Sequence, residues 1–388
     1  MDGSGEGASI PGVTAGVEEE FLLLDPHTGQ AVPKAAAVLA DAAPARGEEA
    51  GTLQPELLRS QVEAATGRCT TSAQLRAQLR DARHRLARAA VRHGAVLVSS
   101  GTPVADGPPP GITEGDRFGR IAEEYAAVVT GYQACGCHVH VAVPDEESAV
   151  AVVNHLRPWL PTLLALSANS PFHRGRDTGC ASWRVVQQLR FPGAGVPPHF
   201  ESAAAYREQV ARLVECGALI DREMSFWLVR PSPRLPTVEL RVADALPTAA
   251  DALVHAVLAR ALVRTALDEV ARGRPAPAVR DQVAAAAVWA AARYGVTSSL
   301  VDPVRERRVP AAVLLRELVE RVTPALREAG DADVVPELLR GLALGGGAER
   351  QRRAAAGGTR SLVRALAQAT SPGSADDETT PEAIEEST

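Results

Sequence analysis

The sequence predicts an α+β fold in which strands carry the charged motifs and helices make up most of the remaining chain. Three observations lead there. Short β-branched and apolar runs hold ionisable residues at i, i+2 spacing, and long Ala- and Leu-rich stretches repeat with a helical period. The two kinds of segment also fail to alternate in the strict strand–helix–strand order of a parallel sheet. With 388 residues, 46% of them hydrophobic, the chain can bury one large core or two medium ones. Composition divides it into a flexible Gly/Ser-rich stretch (1–12), one domain (13–370) and a disordered acidic tail (371–388) with six acidic residues and no basic ones.

In chain order, "VEEEFLLLDP" (17–26) reads as a strand closed by a turn at Asp25-Pro26. "LQPELLRSQVEAATG" (53–67) sets Glu56 and Glu63 seven residues apart. That odd interval puts them on opposite faces of a strand but on one face of a helix, so a solvated helix face is the plain expectation. Ser72 can cap a helix with Leu75, Leu79, Ala82, Leu86 and Ala89 on one side and Gly94 past its end. "AVLVSSG" (95–101) is the next strand. "VADGPPPGITEGD" (104–116) is a Pro/Gly loop long enough to act as a lid or binding loop.

"CGCHVHVAVPD" (135–145) follows, a strand ended by Pro144-Asp145. Its alternation puts His138 and His140 on one face and Cys135 and Cys137 on the other. The four cannot close on one metal without a bulge, and the cysteines read as small buried hydrophobes. Helical patterns lie near 147–168, 202–223 and 249–271, with the strand "RLPTVELRV" (234–242) before the last. From about 281 the chain reads as helical to 368, broken at "TSSLVDP" and "ALGGGAE".

Several function classes are excluded. A net charge of −6 gives no electrostatic case for nucleic acid or an acidic membrane surface. No apolar run reaches the roughly 18–20 residues of a membrane span, and the first residues lack the basic start and apolar core of a signal peptide. Five cysteines, an odd number, point to reduced thiols and a cytoplasmic location. Lys34 is the only lysine among 41 basic residues, which rules out a G-x-x-x-x-G-K-[ST] phosphate loop and argues against Schiff-base chemistry.

What remains is a pattern of charge on strands. Glu18/Glu20 in "GVEEEF", His138/His140, and Glu239/Arg241 in "TVELRV" each project from one face of a strand. An exposed sheet face explains any one pair, but three pairs on apolar strands can form a single polar floor if the strands are neighbours. Such oxygen-rich sets suit Mg²⁺ or Mn²⁺ better than Zn²⁺, and magnesium sites commonly share their ion with phosphate. "SANSPFHRGRDTGCASWR" (167–184) adds Arg174, Arg176 and Arg184, of which Arg184 has the least polar setting. Arginines in such loops bind phosphate or carboxylate through their planar fork.

Taken together, "GVEEEF", "PELLRSQVE", "CHVHV", "LSANSPF…GRDTGCASWR" and "TVELRVADALPT" resemble the carboxylate–amine ligases of the glutamate–cysteine ligase type 2 family, in order over roughly residues 14–365. More distantly, the E-x-E, H-x-H and E-x-R strands are similar to glutamine synthetase. The resemblance implies a curved, mostly antiparallel sheet with the active site on its concave face, helices packed outside, and residues 13–370 as a single catalytic domain. It implies that ATP phosphorylates a substrate carboxylate and that an amine attacks the acyl phosphate, with weak glutamate–cysteine ligation as one expected activity. Glu18, Glu20, Glu56, Glu63, His138 and Glu239 would then be metal ligands for Mg²⁺ or Mn²⁺. Arg184 and Arg241 would hold ATP or acyl-phosphate oxygens, and His140 would support a ligand or contact substrate. The partners implied are an amino acid or other carboxylate plus an amine, with a homodimer as the candidate assembly. Three rivals are a metal-dependent phosphotransferase of the guanidino-kinase kind on the same fold, a zinc hydrolase built on "CHVH", and a binding protein with an inactive site.

Overall fold

The computed structural model describes residues 9–43 and 51–373; residues 1–8 and 374–388, where most of the expected flexible start and acidic tail fall, lie outside the described residues. The chain opens with β1 (Ala15–Leu24), α1 (Ala35–Ala42) and the paired strands β2 (Thr52–Pro55) and β3 (Gln61–Ala65). The long α2 (Ser72–Arg92) leads to β4 (Val96–Val98), and α3 (Asp116–Tyr125) and α4 (Ala127–Thr130) precede β5 (Gly136–Ala142). Next come α5 (Glu146–Leu156), α6 (Leu160–Ser167), the small ribbon of β6 (Phe172–His173) and β7 (Arg176–Asp177), α7 (Trp183–Gln188) and α8 (Ala203–Glu215). β8 (Val229–Pro231) and β9 (Thr237–Asp244) complete the main sheet. The remainder is α9 (Ala249–Ala271), α10 (Asp281–Tyr294), the hairpin β10 (Ser299–Asp302) and β11 (Arg307–Pro310), then α11 (Ala311–Glu328), α12 (Val334–Ala343), α13 (Gly347–Ala355) and α14 (Thr359–Thr370).

Seven strands form one sheet in the order β2-β3-β1-β5-β9-β8, with β4 also paired to β1. Every pairing in it is antiparallel. Alternation sorts its two faces. Val17, Val139, Val141, Val238, Leu240 and Val242 turn into a core that includes Leu156, Leu163, Leu253 and Val257 of the helices. α9 is buried without interruption from Ala252 to Val263, as befits a central helix apolar on all sides. The antiparallel sheet with helices packed outside is the architecture the family resemblance implies. Among the described residues no helix is long and apolar enough to cross a membrane.

Several expectations are corrected. The helix expected over 147–168 is split by a 3₁₀ turn at Arg157–Trp159, because Pro158 has no N–H to continue the ladder. α2 is capped by Thr71, not Ser72: the Thr71 side chain accepts from the Gln74 N–H, and Gln74 reaches back to the cap in a T-x-x-Q box. The helix expected over 202–223 ends at Glu215, followed by Gly217 at φ +70. The helical reading after 281 missed the β10–β11 hairpin. The helix face expected for Glu56 and Glu63 does not exist: Glu63 lies on β3, and Glu56 follows β2 in the turn between the two strands.

Candidate active site

The polar pairs of three neighbouring strands meet on the sheet face opposite the core. In the register, Glu18 of β1 stands beside His138 of β5, and His140 of β5 beside Glu239 of β9. Glu20 of β1 stands beside Glu63 of β3. Between Cys137 and Val139 the β5–β9 register shifts, so Arg241 and Val242 together oppose His138. Such a bulge re-aims a side chain, and Arg241 here reaches both His138 Nδ1, at 3.5 Å, and Glu239 Oε1. Glu56 enters from the β2–β3 turn, and Arg184 from the first turn of α7. These nine residues line one cavity of about 440 Å³, within the roughly 300–1,000 Å³ usual for small-molecule sites.

Electrostatics divides the carboxylates into two groups. Burial works against ionisation of Glu18, yet hydrogen bonds from His138 and His140 hold its carboxyl well below the usual range. Burial likewise opposes Glu239, but the charges of Arg241 and Arg230 drive it far down. Glu56 behaves oppositely: burial, with the charge of Glu20, pushes it up to about 8. Burial and the charges of Glu18, Glu56 and Glu20 also raise Glu63 well above the ordinary carboxylate value. Burial and the Arg241 charge lower His138, while His140 is raised because Glu18 and Glu239 outweigh its burial.

This set fits a divalent cation. Ligand atoms of Glu18, His138 and Glu239 all lie within 4.8 Å of one another. His138 Nε2 is buried without a hydrogen-bond partner, with Glu20 Oε1 3.8 Å away. Crowded carboxyls that are forced to keep their protons are what an oxygen-rich metal set becomes when counter-charge is lacking.

The zinc reading of "CHVH" fails on geometry. Cys137 lies in the core beneath the sheet and Cys135 in a separate apolar cluster, and both thiols are pushed up by burial. Arg174 and Arg176 are exposed, as expected of surface charge, whereas Arg184 is buried. The 104–116 loop straps the turn that carries Glu56: the Thr113 hydroxyl donates to Glu56 O at 2.5 Å, and Thr113 N–H donates to Leu57 O at 2.9 Å.

Among the cavity residues that sequence reading missed are Gln54, Tyr132, Gln188 and Arg230. Arg230 on β8 is buried and donates through Nε to Glu239 Oε2 at 2.8 Å and through Nη1 to the carbonyls of Glu223 and Ser225 at 2.6 and 3.0 Å. It has no charged partner two residues away on its own strand, so strand periodicity carries no signal for it. The amide of Gln54 hydrogen-bonds Glu63 Oε1 across the β2–β3 pair.

Comparison with known proteins agrees with this architecture. The profile of glutamate-cysteine ligase family 2 (GCS2) matches residues 14–370. A protein of Saccharopolyspora erythraea named "Putative glutamate--cysteine ligase 2-2" is 60% identical over 368 residues, 94% of each chain. One of Nocardia farcinica named "Putative glutamate--cysteine ligase 2-1" is 46% identical over 342 residues, 88% of each chain. Among solved structures, the glutamate–cysteine ligase of Francisella tularensis in complex with AMP superposes with a TM-score of 0.69 at 12% identity, over 93% of this chain and 89% of that one. A bifunctional glutathione synthetase from Pasteurella multocida gives 0.61 at 16% identity, over 92% of this chain and 52% of that one. At such identities the structural likeness speaks to the fold alone.

Proposed function

The chain belongs to glutamate-cysteine ligase family 2, and from that premise we propose that its cavity is the active site of an ATP-dependent ligase joining a carboxylate to an amine. The observation that carries this reading is the convergence of Glu18, Glu20, Glu56, Glu63, His138 and Glu239 with Arg184 and Arg241 in one cavity. Glu18, His138 and Glu239 would hold Mg²⁺ or Mn²⁺, with Glu20, Glu56 and Glu63 supplying further carboxylates. A bound cation there would neutralise phosphate charge and orient the γ-phosphoryl group.

The chain's own groups do the rest. Arg184 and Arg241 present guanidinium forks to the phosphate oxygens, where negative charge is redistributed as the phosphoryl group passes from ATP to the substrate carboxylate. The acyl phosphate so formed is attacked by the amine, releasing phosphate and leaving the amide. His140 keeps its ring fixed through Nδ1, 2.9 Å from Thr237 Oγ1, and turns Nε2 toward Glu18 Oε1 at 3.4 Å. It thereby steadies a candidate ligand. Positioning and charge neutralisation supply the catalysis, and no covalent enzyme nucleophile is needed. Glutamate and cysteine are the first substrate pair to test, with weak turnover expected.

The test is an ADP-release screen of amino acids against amines in Mg²⁺. ADP and phosphate should appear together only when a carboxylate and an amine are both present. A stable phosphorylated product that forms without amine would overturn the ligase reading.

A further inference from the structure

Given the phosphate role proposed for Arg184, we infer that Asp244 is its positioning residue, acting through the hydroxyls of Ser170 and Ser182. Asp244 ends β9 and is completely buried. Its Oδ2 accepts from the Asn169 N–H at 2.8 Å and the Ser170 hydroxyl at 2.7 Å, and its Oδ1 accepts from the Ser182 hydroxyl at 2.8 Å. A serine hydroxyl has one proton, and both serines spend it on Asp244. Their lone pairs therefore face α7: Ser170 Oγ accepts from the Arg184 N–H at 3.0 Å, and Ser182 Oγ caps the helix by accepting from the Val185 N–H at 3.3 Å. One carboxylate thus sets the direction of both side-chain hydrogen bonds that seat the first turn of α7, where Arg184 sits, alongside the backbone bond from the Trp183 N–H to the Ser170 carbonyl at 2.9 Å.

The guanidinium at the other end of that side chain has little lateral room. A Cβ on Gly136 would fall inside contact distance of Arg184 Nη2 and within 2.9 Å of its Cζ, so any larger residue at that point of β5 would displace the guanidinium. Arg184 Nη1 and Nη2 lie 3.4 and 3.3 Å from the Arg241 carbonyl, which ties the two proposed phosphate-binding arginines together. Gly101 is under the same constraint at the opposite end, where a Cβ would come within 2.9 Å of Asp244 Cγ. Backbone packed on both sides holds the chain from Asp244 through Ser182 to Arg184 in one arrangement. A phosphate-binding fork tolerates displacement of only about half an ångström.

The test is a double-mutant cycle of Asp244→Asn and Arg184→Lys, read as ATP affinity by calorimetry in saturating Mg²⁺. Asn keeps the size of Asp, but its amide nitrogen meets a hydroxyl proton, so one serine must turn that proton away and the hydrogen bond it offers the first turn of α7 is disturbed. Each single variant should weaken ATP binding by about tenfold, and the double variant should bind within about twofold of Arg184→Lys alone. The Mg²⁺ concentration needed for half-maximal ATP binding should stay where it is in the parent, because Asp244 touches no candidate ligand. A merely structural Asp244 would give a double variant equal to the product of the singles, and that result overturns the inference. If Asp244→Asn does not fold, Ser182→Ala and Ser182→Thr take its place. Ala should weaken ATP binding and Thr should restore it, and a folded Ser182→Ala with parental affinity overturns the inference. Arg184→Lys binding ATP like the parent would overturn both this inference and the proposed role of Arg184.

Discussion

Glu239 accepts from two guanidinium groups at once, Arg230 on Oε2 and Arg241 on Oε1. A carboxylate has about four lone-pair sites, so both bonds leave room for a cation. This arrangement fixes the expected behaviour of its variants. Glu239→Gln keeps the size and loses the charge, so turnover should fall and the Mg²⁺ concentration required should rise. Arg241→Lys keeps the charge but loses the planar fork, so turnover should fall by about a hundredfold and not recover at high Mg²⁺. The opposing view, an ordinary ion pair worth at most about 1 kcal/mol, predicts near-silent changes. Steady-state ADP formation across a Mg²⁺ titration separates them, with folding followed by circular dichroism. Two folded variants that both match the parent would make this strand scaffold. The charged pairs were legible in the sequence because strand alternation is a local backbone property. Arg230 was not, because its partner lies on the neighbouring strand, and the bulge that re-aims Arg241 leaves no mark in residue type.

At the scale of elements, the face of β1 away from the cavity carries a second charge arrangement. Glu19, between Glu18 and Glu20, turns to the helical side and pairs with Arg83 of α2 at 2.6 Å, both side chains almost wholly buried. Arg83 also donates to the carbonyls of Leu246 at 2.9 Å, Pro247 at 3.2 Å and Thr370 at 3.4 Å. It thereby ties β1 to the approach of α9 and the end of α14. Removing Arg83 strands a buried carboxylate and three carbonyls, so Arg83→Met should cost about 3–5 kcal/mol in denaturant unfolding. Replacing both partners by apolar residues should cost less than removing Arg83 alone, since no lone charge remains. A loss below about 1 kcal/mol for Arg83→Met would dismiss the clamp. The helix itself was legible from its apolar stripe, but Arg83 reads there as one more solvated arginine. Glu56 and Glu63 escaped for a related reason. Seven residues on one straight strand would separate them, but the chain reverses between them, and periodicity cannot show a reversal inside a run of mixed polar and apolar residues.

The whole molecule shows two different responses to charge. The first is acid sensitivity: His255 is buried on α9 with Nε2 unpartnered, and burial lowers its pKa to about 4 from an ordinary 6.5. The charged groups sharing its small cavity are already engaged, Asp251 with Arg350 and Glu337 with Arg76. Between those two pH values the unfolded chain binds a proton that the folded chain refuses, so stability is lost as pH falls through that window. His255→Leu should lessen the loss between pH 7 and about pH 4.5 by about 2–3 kcal/mol relative to the parent. Parallel stability curves for the two proteins would count against it. The second response is to nucleotide. Six carboxylates, Glu18, Glu20, Glu56, Glu63, Glu223 and Glu239, line the cavity with five guanidinium groups, Arg117, Arg184, Arg230, Arg234 and Arg241. A triphosphate adds further negative charge, which these five arginines, already facing six carboxylates, do not balance in a chain with a net charge of −6 and no lysine-bearing phosphate loop. A divalent cation shared between the carboxylates and the phosphates brings the charges closer to balance. ATP titrated into the protein in Mg²⁺ should therefore bind at least about tenfold more tightly than in excess EDTA, a difference of about 1.4 kcal/mol. Thermal unfolding gives an independent reading, because a ligand that binds only the folded state raises the melting temperature by mass action. ATP with Mg²⁺ should raise it, and ATP with EDTA should leave it near the value of the free protein. Equal affinity in the two buffers would mean that the arginines alone hold the nucleotide and that the carboxylates serve some other end.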